Sequence, residues 1–344
     1  MDFRNILIIR TDRVGDVILT TPMMAALRQN YPEARISVLV SVSTLELVEG
    51  NPHLNEILVD DRHGKHQGFW GFFRLVRGIR QKNFDAAFVM HTKNRTNSLC
   101  FLAGIPHRIG YKNKKFGFLL TEPIADTRWQ GLKHEVDYCL DVLKELGILS
   151  RESNLYLSVS RSAKEWAQRF LEQNQVKESD RLVAIHPGAS CISKRWNPER
   201  FAEVANELFE KKGFKVILVG SKDNKDIIQK VKESFHHPVI DAIGQTTLGQ
   251  LAGLFERCQL LISNDSGPVH MASALGVPVI SIFGRNQAGL SPIRWGPWGH
   301  SGLVLHKEVG CHQCLAHNCR INFRCLDEIK PKEVLEAVDA LLAL

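Results

Sequence analysis

Short apolar runs alternate with longer amphipathic stretches along this 344-residue chain, and no other sequence feature constrains the fold as strongly. Ile6-Leu7-Ile8-Ile9 precedes a helical pattern over 17–29, and further β-branched runs follow at 35–40, 56–59 and 86–90. The alternation restarts at Leu182-Val183-Ala184-Ile185. Strands that alternate with helices are typical of a parallel sheet with helices on both faces. We therefore predict an α/β protein of two Rossmann-like lobes.

The predicted boundary between the lobes lies in the polar segment 149–162, which is rich in Ser and Arg. A first lobe over 1–158 and a second over 159–328 would each have an ordinary domain size of roughly 150–190 residues. We expect the amphipathic C-terminal helix within 329–344 to pack back on the first lobe. Ligands of such sheets bind beyond the carboxyl ends of the strands, so we expect the site in a cleft between the lobes.

Composition and charge restrict the class of protein. No apolar run reaches the roughly 20 residues of a membrane-spanning helix, and the N-terminal segment does not resemble a secretory signal. Eight cysteines without an export signal then predict a cytoplasmic location.

Basic residues are concentrated in the first lobe. Between Arg62 and Thr121 stand twelve Lys or Arg and a single acid, Asp85. Such a block is either a solvated positive face or a surface for anionic partners. No nucleic-acid-binding motif accompanies the charge, so we do not expect a nucleic-acid partner.

The loop after the first strand reads Arg10-Thr11-Asp12-Arg13-Val14-Gly15-Asp16. Gly15 permits a tight turn at a strand end, which leaves Asp16 at a helix N-terminus. The carboxylate is then either a helix cap or a general base that takes a proton from an acceptor hydroxyl. Capping alone does not explain why Arg10, Asp12 and Arg13 crowd the same turn.

Two loops of the second lobe have the composition of an anion site. In the segment 186–198, small residues such as Gly188 let backbone amides approach a ligand, and Lys194 and Arg195 supply positive charge. In the segment 263–270, the amides of Ser266, Gly267 and Val269 would open a helix toward an anion. His270, one turn into that helix, either faces the same anion or is a core histidine.

Two missing motifs narrow the chemistry. The chain contains no Gly-x-Gly-x-x-Gly, which argues against a dinucleotide-dependent dehydrogenase. It contains no Asp-x-Asp, so a carboxylate pair that clamps a metal–diphosphate complex is not expected. Positive side chains and helix N-termini must then neutralise any leaving diphosphate.

Three segments resemble the motifs of bacterial lipopolysaccharide heptosyltransferases, glycosyltransferase family nine. They are the opening segment 8–22, the pair His186-Pro187-Gly188 with Lys194-Arg195-Trp196, and 263–270 followed by 274–278 and Phe283-Gly284. The motifs occur in the family's order, and the resemblance covers nearly the whole chain. It implies a GT-B fold, in which two Rossmann-like parallel-sheet lobes face each other across a cleft. It also implies inverting, metal-independent transfer from ADP-heptose without a catalytic cofactor or a catalytic metal.

The resemblance further implies roles for individual residues. Asp16 would be the general base, and Lys194 would hold the donor diphosphate. The remaining residues implied for the donor are Gly188, Asp223, Asp265, Ser266, Gly267 and His270. For Asp223, a position in a solvated helix start is an equally good explanation.

A lipopolysaccharide inner core carries phosphate and acidic sugars, which would explain the basic first lobe. The acceptor-side candidates are Arg10, Arg13, His91, Lys93 and Arg95. The aromatic run Phe69-Trp70-Gly71-Phe72-Phe73, beside Arg74 and Arg77, either rests on the cytoplasmic face of the inner membrane or forms a buried cluster.

Four cysteines, Cys311, Cys314, Cys319 and Cys325, lie within fifteen residues near the C-terminus. The spacing allows a structural zinc site, and free thiols or adventitious disulfides are the alternatives. Similar clusters in the family usually have proline where this chain has Gln313. Catalysis should not require a metal here.

Two other functions share this architecture. A sugar-nucleotide epimerase would interconvert donor sugars without an acceptor and would not need the basic lobe. A two-lobed sugar-binding protein is normally exported, and no export signal was found. A further alternative is a family-nine transferase that uses a nucleotide sugar other than ADP-heptose.

Overall fold

The computed structural model describes residues 2–311 and 313–342, and in that part of the chain the strands form two six-stranded sheets. All strand pairs in both sheets are parallel. The chain divides into two compact units, Met1–Trp129 with Lys133–Ser158, and Gln130–Leu132 with Val159–Leu344. The α/β architecture predicted from the alternating pattern is confirmed.

The first unit carries a sheet in the order β3-β2-β1-β4-β5-β6. Its strands are β1 (Asn5–Ile9), β2 (Arg35–Ser41), β3 (Glu56–Asp60), β4 (Ala86–Val89), β5 (His107–Tyr111) and β6 (Glu122–Ile124). Its helices are α1 (Val14–Ile18), α2 (Thr21–Asn30), α3 (Gly68–Arg80), α4 (Asn94–Leu102) and α5 (Glu135–Lys144).

The second unit repeats this topology, with its sheet in the order β12-β11-β10-β7-β8-β9. Its strands are β7 (Arg181–His186), β8 (Phe214–Leu218), β9 (Ile240–Asp241), β10 (Leu260–Asn264), β11 (Val279–Phe283) and β12 (Gly302–His306). Its helices are α6 (Arg161–Gln173), α7 (Pro198–Lys212), α8 (Lys225–Ser234), α9 (Leu248–Phe255), α10 (Gly267–Ala274), α11 (Pro292–Trp295), α12 (Arg324–Asp327) and α13 (Pro331–Leu342).

Each sheet has one point at which the winding direction reverses. It lies between β1 and β4 in the first unit and between β7 and β10 in the second. Crevices at such points, beyond the carboxyl ends of the strands, are where open α/β sheets bind ligands. The loops that follow these four strands are therefore the first places to look for a site.

The central strands are buried on both faces, as parallel strands covered by helices must be. Ile6, Leu7, Ile8 and Ile9 of β1 have no exposed surface. In the second unit, Trp196 and Phe201 pack edge to face, with ring centroids 4.9 Å apart, within the core cluster that also contains β7 and β10 residues. These buried strands fix the ends from which the site loops leave.

The single helix predicted over 17–29 is two helices, α1 and α2. Between them the Thr20 hydroxyl donates to the carbonyl of Asp16 at 2.8 Å, and the Thr21 hydroxyl donates to the carbonyl of Ile18 at 2.7 Å. These side chains satisfy carbonyls at the end of α1, and Pro22, which has no N–H, stands in the first turn of α2. The break leaves α1 as a short separate element that carries Asp16.

The C-terminal helix differs from its expected position. Val334, Ala337, Val338 and Leu341 of α13 belong to the core of the second unit, with Leu208 of α7. Its apolar face is therefore covered by the second unit, not by the first as the sequence suggested; Ala343 and Leu344 lie outside the described residues. Among the helices of the described residues, none has both the length and the apolar composition to cross a bilayer.

Candidate active site

Arg10, the first residue after β1, is at the centre of a buried charge cluster and is 1% exposed. Its Nη2 donates to Asp16 Oδ1 at 2.7 Å and to Glu135 Oε1 at 2.9 Å. Its Nε donates to the carbonyl of Asp16 at 3.1 Å and lies 3.2 Å from Asp12 Oδ1. Nη1 donates to the carbonyl of Met90, which follows β4. The guanidinium thus joins the two loops at the reversal point of the first sheet.

Asp16 lies in the first turn of α1, and its side chain is 18% exposed. Burial raises the pKa of Asp16 to about 6; Arg10 opposes this rise, and the carboxylates of Asp12 and Glu135 add to it. A carboxylate that is fixed in place, partly accessible and more basic than usual has the properties of a general base.

Two features of this cluster differ from the sequence-based expectation. Arg10 was expected among the acceptor-binding residues, but the structure buries it and uses its nitrogen atoms to hold Asp16, so we correct its role to that of a positioning residue. Glu135, at the start of α5, was missed, although it is 1% exposed. A signal was available, because Glu135 shares the apolar face of α5 with Cys139, Val142 and Leu143 at helical spacing.

His91 and Lys93 follow β4 at the same edge of the sheet. The His91 Nδ1 lies 3.0 Å from the Thr11 hydroxyl, and burial, aided by Arg10 and Lys93, lowers the pKa of His91 to about 4. The imidazole is therefore neutral at pH 7. Lys93 is exposed, and its pKa is lowered mainly by the neighbouring Lys115. Arg13 is also exposed, so His91, Lys93 and Arg13 stay candidates for acceptor contact.

Arg95 is already engaged within the first unit. Its guanidinium donates to both carboxylate oxygens of Asp60, at 2.9 and 2.7 Å, and to the carbonyl of His66 at 3.0 Å. It also stacks over the ring of Phe72, 4.9 Å from the centroid. These contacts tie α4 to the end of β3 and to α3. Arg95 therefore serves as a structural link, and its place among the acceptor-binding residues stays a prediction.

In the second unit, Asp265 follows β10 and accepts from two cations. Lys194 Nζ and Arg285 Nη2 each lie 2.9 Å from Asp265 Oδ2, and the Asp265 side chain is 5% exposed. Two cations around one carboxylate leave this cluster net positive, which suits a diphosphate. Arg285 was missed by sequence reasoning; its signal is its place at the carboxyl end of β11, directly after the Phe283-Gly284 motif.

Asn264, fully buried at the end of β10, holds the two predicted loops of this unit together. Its Nδ2 donates to the carbonyl of Pro187 at 2.7 Å, and its Oδ1 accepts from the backbone N–H of Trp196 at 3.0 Å. Arg195 also serves this loop, because its guanidinium donates to the carbonyl of Ala189. Lys194 is thereby carried on a loop fixed at both sides.

The segment that enters α10 turns its side chains inward. The Ser266 hydroxyl lies 2.9 Å from that of Ser263 and 3.2 Å from His186 Nδ1. Burial lowers the pKa of His186 to about 4, so this histidine is neutral. At the start of α10, Pro268 has no N–H and the N–H of Val269 donates to the carbonyl of Ser266 at 3.2 Å, so the N–H of Gly267 is the one suited to an anion. His270 is buried on the same helix, 3% exposed.

Gly188 and Asp223 belong to loops that approach each other. A Cβ atom at Gly188 would lie 3.1 Å from the side chain of Asn224, so a larger residue here would force that side chain to shift. Asp223 and Asp226 are exposed. The residue that reaches the segment 186–198 is therefore Asn224, and a ribose contact by Asp223 stays a prediction.

The C-terminal cysteines lie around one cavity of about 330 Å³. Cys325 Sγ donates to the carbonyl of Gly284 at 2.7 Å, and Cys319 Sγ accepts from the N–H of Phe323 at 3.2 Å. All four are free thiols, and burial raises the pKa of Cys325 to about 11. Within residues 2–311 and 313–342, no group of three His, Cys, Asp or Glu side chains is arranged to hold a metal ion.

Two parallel-sheet units with the same winding, each with polar loops at its reversal point, form the architecture of the GT-B fold. Residues 72–323 match the family model of glycosyltransferase family 9 (heptosyltransferase), and the chain belongs to this family. The chain is thus an enzyme of the glycosyltransferase class.

Named relatives span the whole chain. It is 27% identical to lipopolysaccharide heptosyltransferase 2 of Escherichia coli K12, over 98% of both chains. It is also 27% identical to lipopolysaccharide heptosyltransferase 3 of the same strain, over 95% of both chains. The crystal structure of a family 9 glycosyl transferase from Veillonella parvula superposes with a TM-score of 0.90 at 28% identity, covering 100% of this chain and 98% of that one. The resemblance drawn from three motifs is therefore confirmed.

Proposed function

We propose that this enzyme transfers a heptose from ADP-heptose to the inner core of lipopolysaccharide, with inversion and without a catalytic metal. The observation that carries the proposal is the Asp16 carboxylate, fixed by Arg10 and raised in pKa to about 6 at the ligand-binding edge of the first sheet. The two E. coli relatives, both lipopolysaccharide heptosyltransferases, support the choice of sugar and of acceptor.

In an inverting displacement, a base removes the proton of the acceptor hydroxyl while that oxygen attacks the anomeric carbon. The bond to the diphosphate breaks on the opposite side of the sugar, and the nucleoside diphosphate leaves with the negative charge. Asp16 has the position and basicity for the first task, and the first unit offers Arg13, His91 and Lys93 for acceptor contact.

The second unit offers the positive charge that a leaving diphosphate needs. Lys194 and Arg285 converge on Asp265, and the N-terminus of α10 adds the N–H of Gly267 and the positive end of the helix dipole. In this proposal a diphosphate takes the cation contacts now made by Asp265. Gly188, Ser266, Gly267, His270 and Asp223 stay proposed donor contacts.

The location is part of the same proposal. We propose that the reaction takes place in the cytoplasm at the inner membrane face, where an activated nucleotide sugar would meet a lipid-anchored acceptor.

A donor screen tests the function directly. The purified chain is incubated with ADP-, UDP- or GDP-linked sugars, and its thermal stabilisation is measured. The same sugars are then offered with heptose-deficient lipopolysaccharide, and the product and its anomeric configuration are determined. We expect stabilisation and transfer with ADP-heptose. Transfer from another nucleotide sugar would contradict the assignment of ADP-heptose as the donor. Interconversion of the donor sugar without an acceptor would show that the enzyme is an epimerase and not a transferase.

A further inference from the structure

We propose that one face of the first unit docks on a bilayer that contains anionic lipid. The docking face consists of Phe69, Trp70 and Phe73 of α3 with Phe116 and Phe118 of the segment after β5. Each of these five aromatic residues is exposed, Trp70 at 81% and Phe118 at 80%. The inference deepens the proposed function, since it rests on that function for the choice of membrane.

The topology brings these residues to the same side and the same edge of the sheet. The chain runs from β3 through β4 and β5 to β6 in one direction across the sheet. Right-handed crossovers then place α3, α4 and the turn Gly117–Leu119 on a single face. The start of α3 and the segment after β5 both lie at the carboxyl edge, where Asp16, His91 and Lys93 also lie.

The aromatic residues are grouped, not scattered. Phe69 lies 5.4 Å from Trp70 and 4.7 Å from Phe73, measured between ring centroids, and Phe116 lies 5.7 Å from Phe118. α4 lies between the groups: the Nδ2 of its Asn97 donates to the carbonyl of Lys115 at 2.8 Å, and its Arg95 stacks over Phe72 of α3. Grouped exposed aromatic residues mark an interaction surface, whereas single ones do not. The alternative expectation of a buried aromatic cluster is overturned for Phe69, Trp70 and Phe73.

The core does not need these rings. The opposite side of α3 is filled by Leu75, Val76 and Ile79, which pack in the buried cluster with β1 and β4. α3 is therefore held on the sheet by residues other than Phe69 and Trp70.

The charge around the docking face identifies its occupant. Its exposed cations are Arg74, Arg77, Lys112, Lys114 and Lys115. The only acid of the sequence between Arg62 and Thr121, Asp85, accepts from the backbone N–H groups of Arg4 and Asn5 beside β1, at the amino edge of the sheet. Aromatic and cationic side chains on one surface suit the interface of an anionic bilayer. A second copy of the same face would instead be repelled by its own charge.

Vesicle flotation tests this inference without donor or acceptor. The full chain is floated with vesicles of phosphatidylethanolamine and phosphatidylglycerol, or with phosphatidylcholine vesicles. We expect binding to the anionic vesicles, weakened by added salt, and little binding to the neutral ones. A protein that ignores anionic vesicles, or that binds both kinds equally, overturns the inference. Self-association without vesicles would assign the face to a second copy.

A matched pair of double variants locates the surface. Trp70→Ser with Phe118→Ser should reduce vesicle binding by about tenfold or more. The control, Leu149→Ser with Ile293→Ser, removes two apolar side chains that are 67% and 60% exposed outside this face, and should bind as the parent does. Equal loss in both variants contradicts the assignment.

A transfer assay with an acceptor that lacks its lipid tests the proposed function separately from this inference, and the turnover of each variant is measured in it. We expect the Trp70/Phe118 variant to keep its turnover there. Vesicle binding without any transferase activity would contradict the proposed function and leave the docking face standing. Transfer without vesicle binding would contradict the docking face and leave the proposed function standing.

Discussion

Arg10 and Glu135 form a fully buried ion pair, with 2.9 Å between Nη2 and Oε1 and 1% exposure of each side chain. The pair joins the end of β1 to the start of α5, 125 positions later in the chain. A buried pair is a costly way to stabilise a fold, which suggests another use. Here Asp12 and Asp16 contact the same guanidinium, so three carboxylates share the Arg10 side chain. Arg10 thus holds the Asp16 carboxylate in place, while burial, aided by Asp12 and Glu135, keeps its pKa raised.

The pH dependence of transfer should follow the ionisation of the Asp16 carboxyl. Asp16 acts as a base only when ionised, and its pKa of about 6 means that kcat/KM falls roughly tenfold per unit as the pH drops below about 6. An aspartate with an ordinary pKa would place this fall in kcat/KM, the acid limb of the profile, near pH 4. Asp16→Asn should lose about 10²–10⁴-fold in kcat and retain ADP binding by calorimetry. Asp137→Asn, another acid in a first helical turn, is the control and should keep its rate. An Asp16→Asn variant that transfers at the parent's rate would show that Asp16 is not the general base.

The same shift predicts an effect on stability. Because folding raises the pKa of Asp16 above its unfolded value, ionisation of this carboxyl lowers the free energy of unfolding as the pH rises through about 4 to 6. Asp16→Asn removes that cost. The Tm of the variant relative to the parent should therefore be more favourable at pH 8 than at pH 5, as measured by calorimetry at both values. A difference of the opposite sign would mean that the carboxylate stabilises the fold when ionised.

Glu135 should tune the base through charge. Glu135→Gln keeps an oxygen that accepts from Arg10 but removes a negative charge that raises the pKa of Asp16. The acid limb of the kcat/KM profile should move to lower pH by roughly one unit, with a smaller loss in the plateau rate than for Asp16→Asn. Glu145→Gln, at the exposed end of α5, should leave the profile in place. A limb that does not move would show that Glu135 has only a structural role.

The fold was predictable because apolar periodicity and strand-end loops are local properties of the sequence. Asp16, Lys194 and Asp265 could be found in the same way, since each stands in a loop directly after a predicted strand. The partners of these residues could not be predicted from the sequence. Glu135 reaches Arg10, and Arg285 reaches Asp265, only after distant elements pack. The burial of Arg10 and the link from Arg95 to Asp60 also arise from packing, so the sequence could not show that these side chains bind within the first unit.

The two cations on Asp265 should act together on the donor. Lys194→Ala and Arg285→Ala should each weaken ADP binding by about 10–100-fold, because a charge-assisted contact to the diphosphate is lost. Since both cations pair with the same carboxylate, the double variant should lose a different amount from the product of the single losses. Lys164→Ala removes a surface pair with Glu256 in the same unit and should bind ADP normally. Unchanged affinity in both single variants, by calorimetry, would remove this cluster from the donor site.

Asn264 should matter for both stability and donor binding, because it joins the two loops that carry Lys194 and Asp265. Asn264→Ala leaves the carbonyl of Pro187 and the N–H of Trp196 buried without their partner, at a cost of about 2–5 kcal/mol in the free energy of unfolding. Asn206→Ala also removes two backbone hydrogen bonds, but at a partly exposed position, and should cost less. Denaturant titration compares the two, and calorimetry at a temperature where both are folded should show weaker ADP binding only for Asn264→Ala. Equal affinity in both variants would show that the link between the loops is not needed to hold the diphosphate.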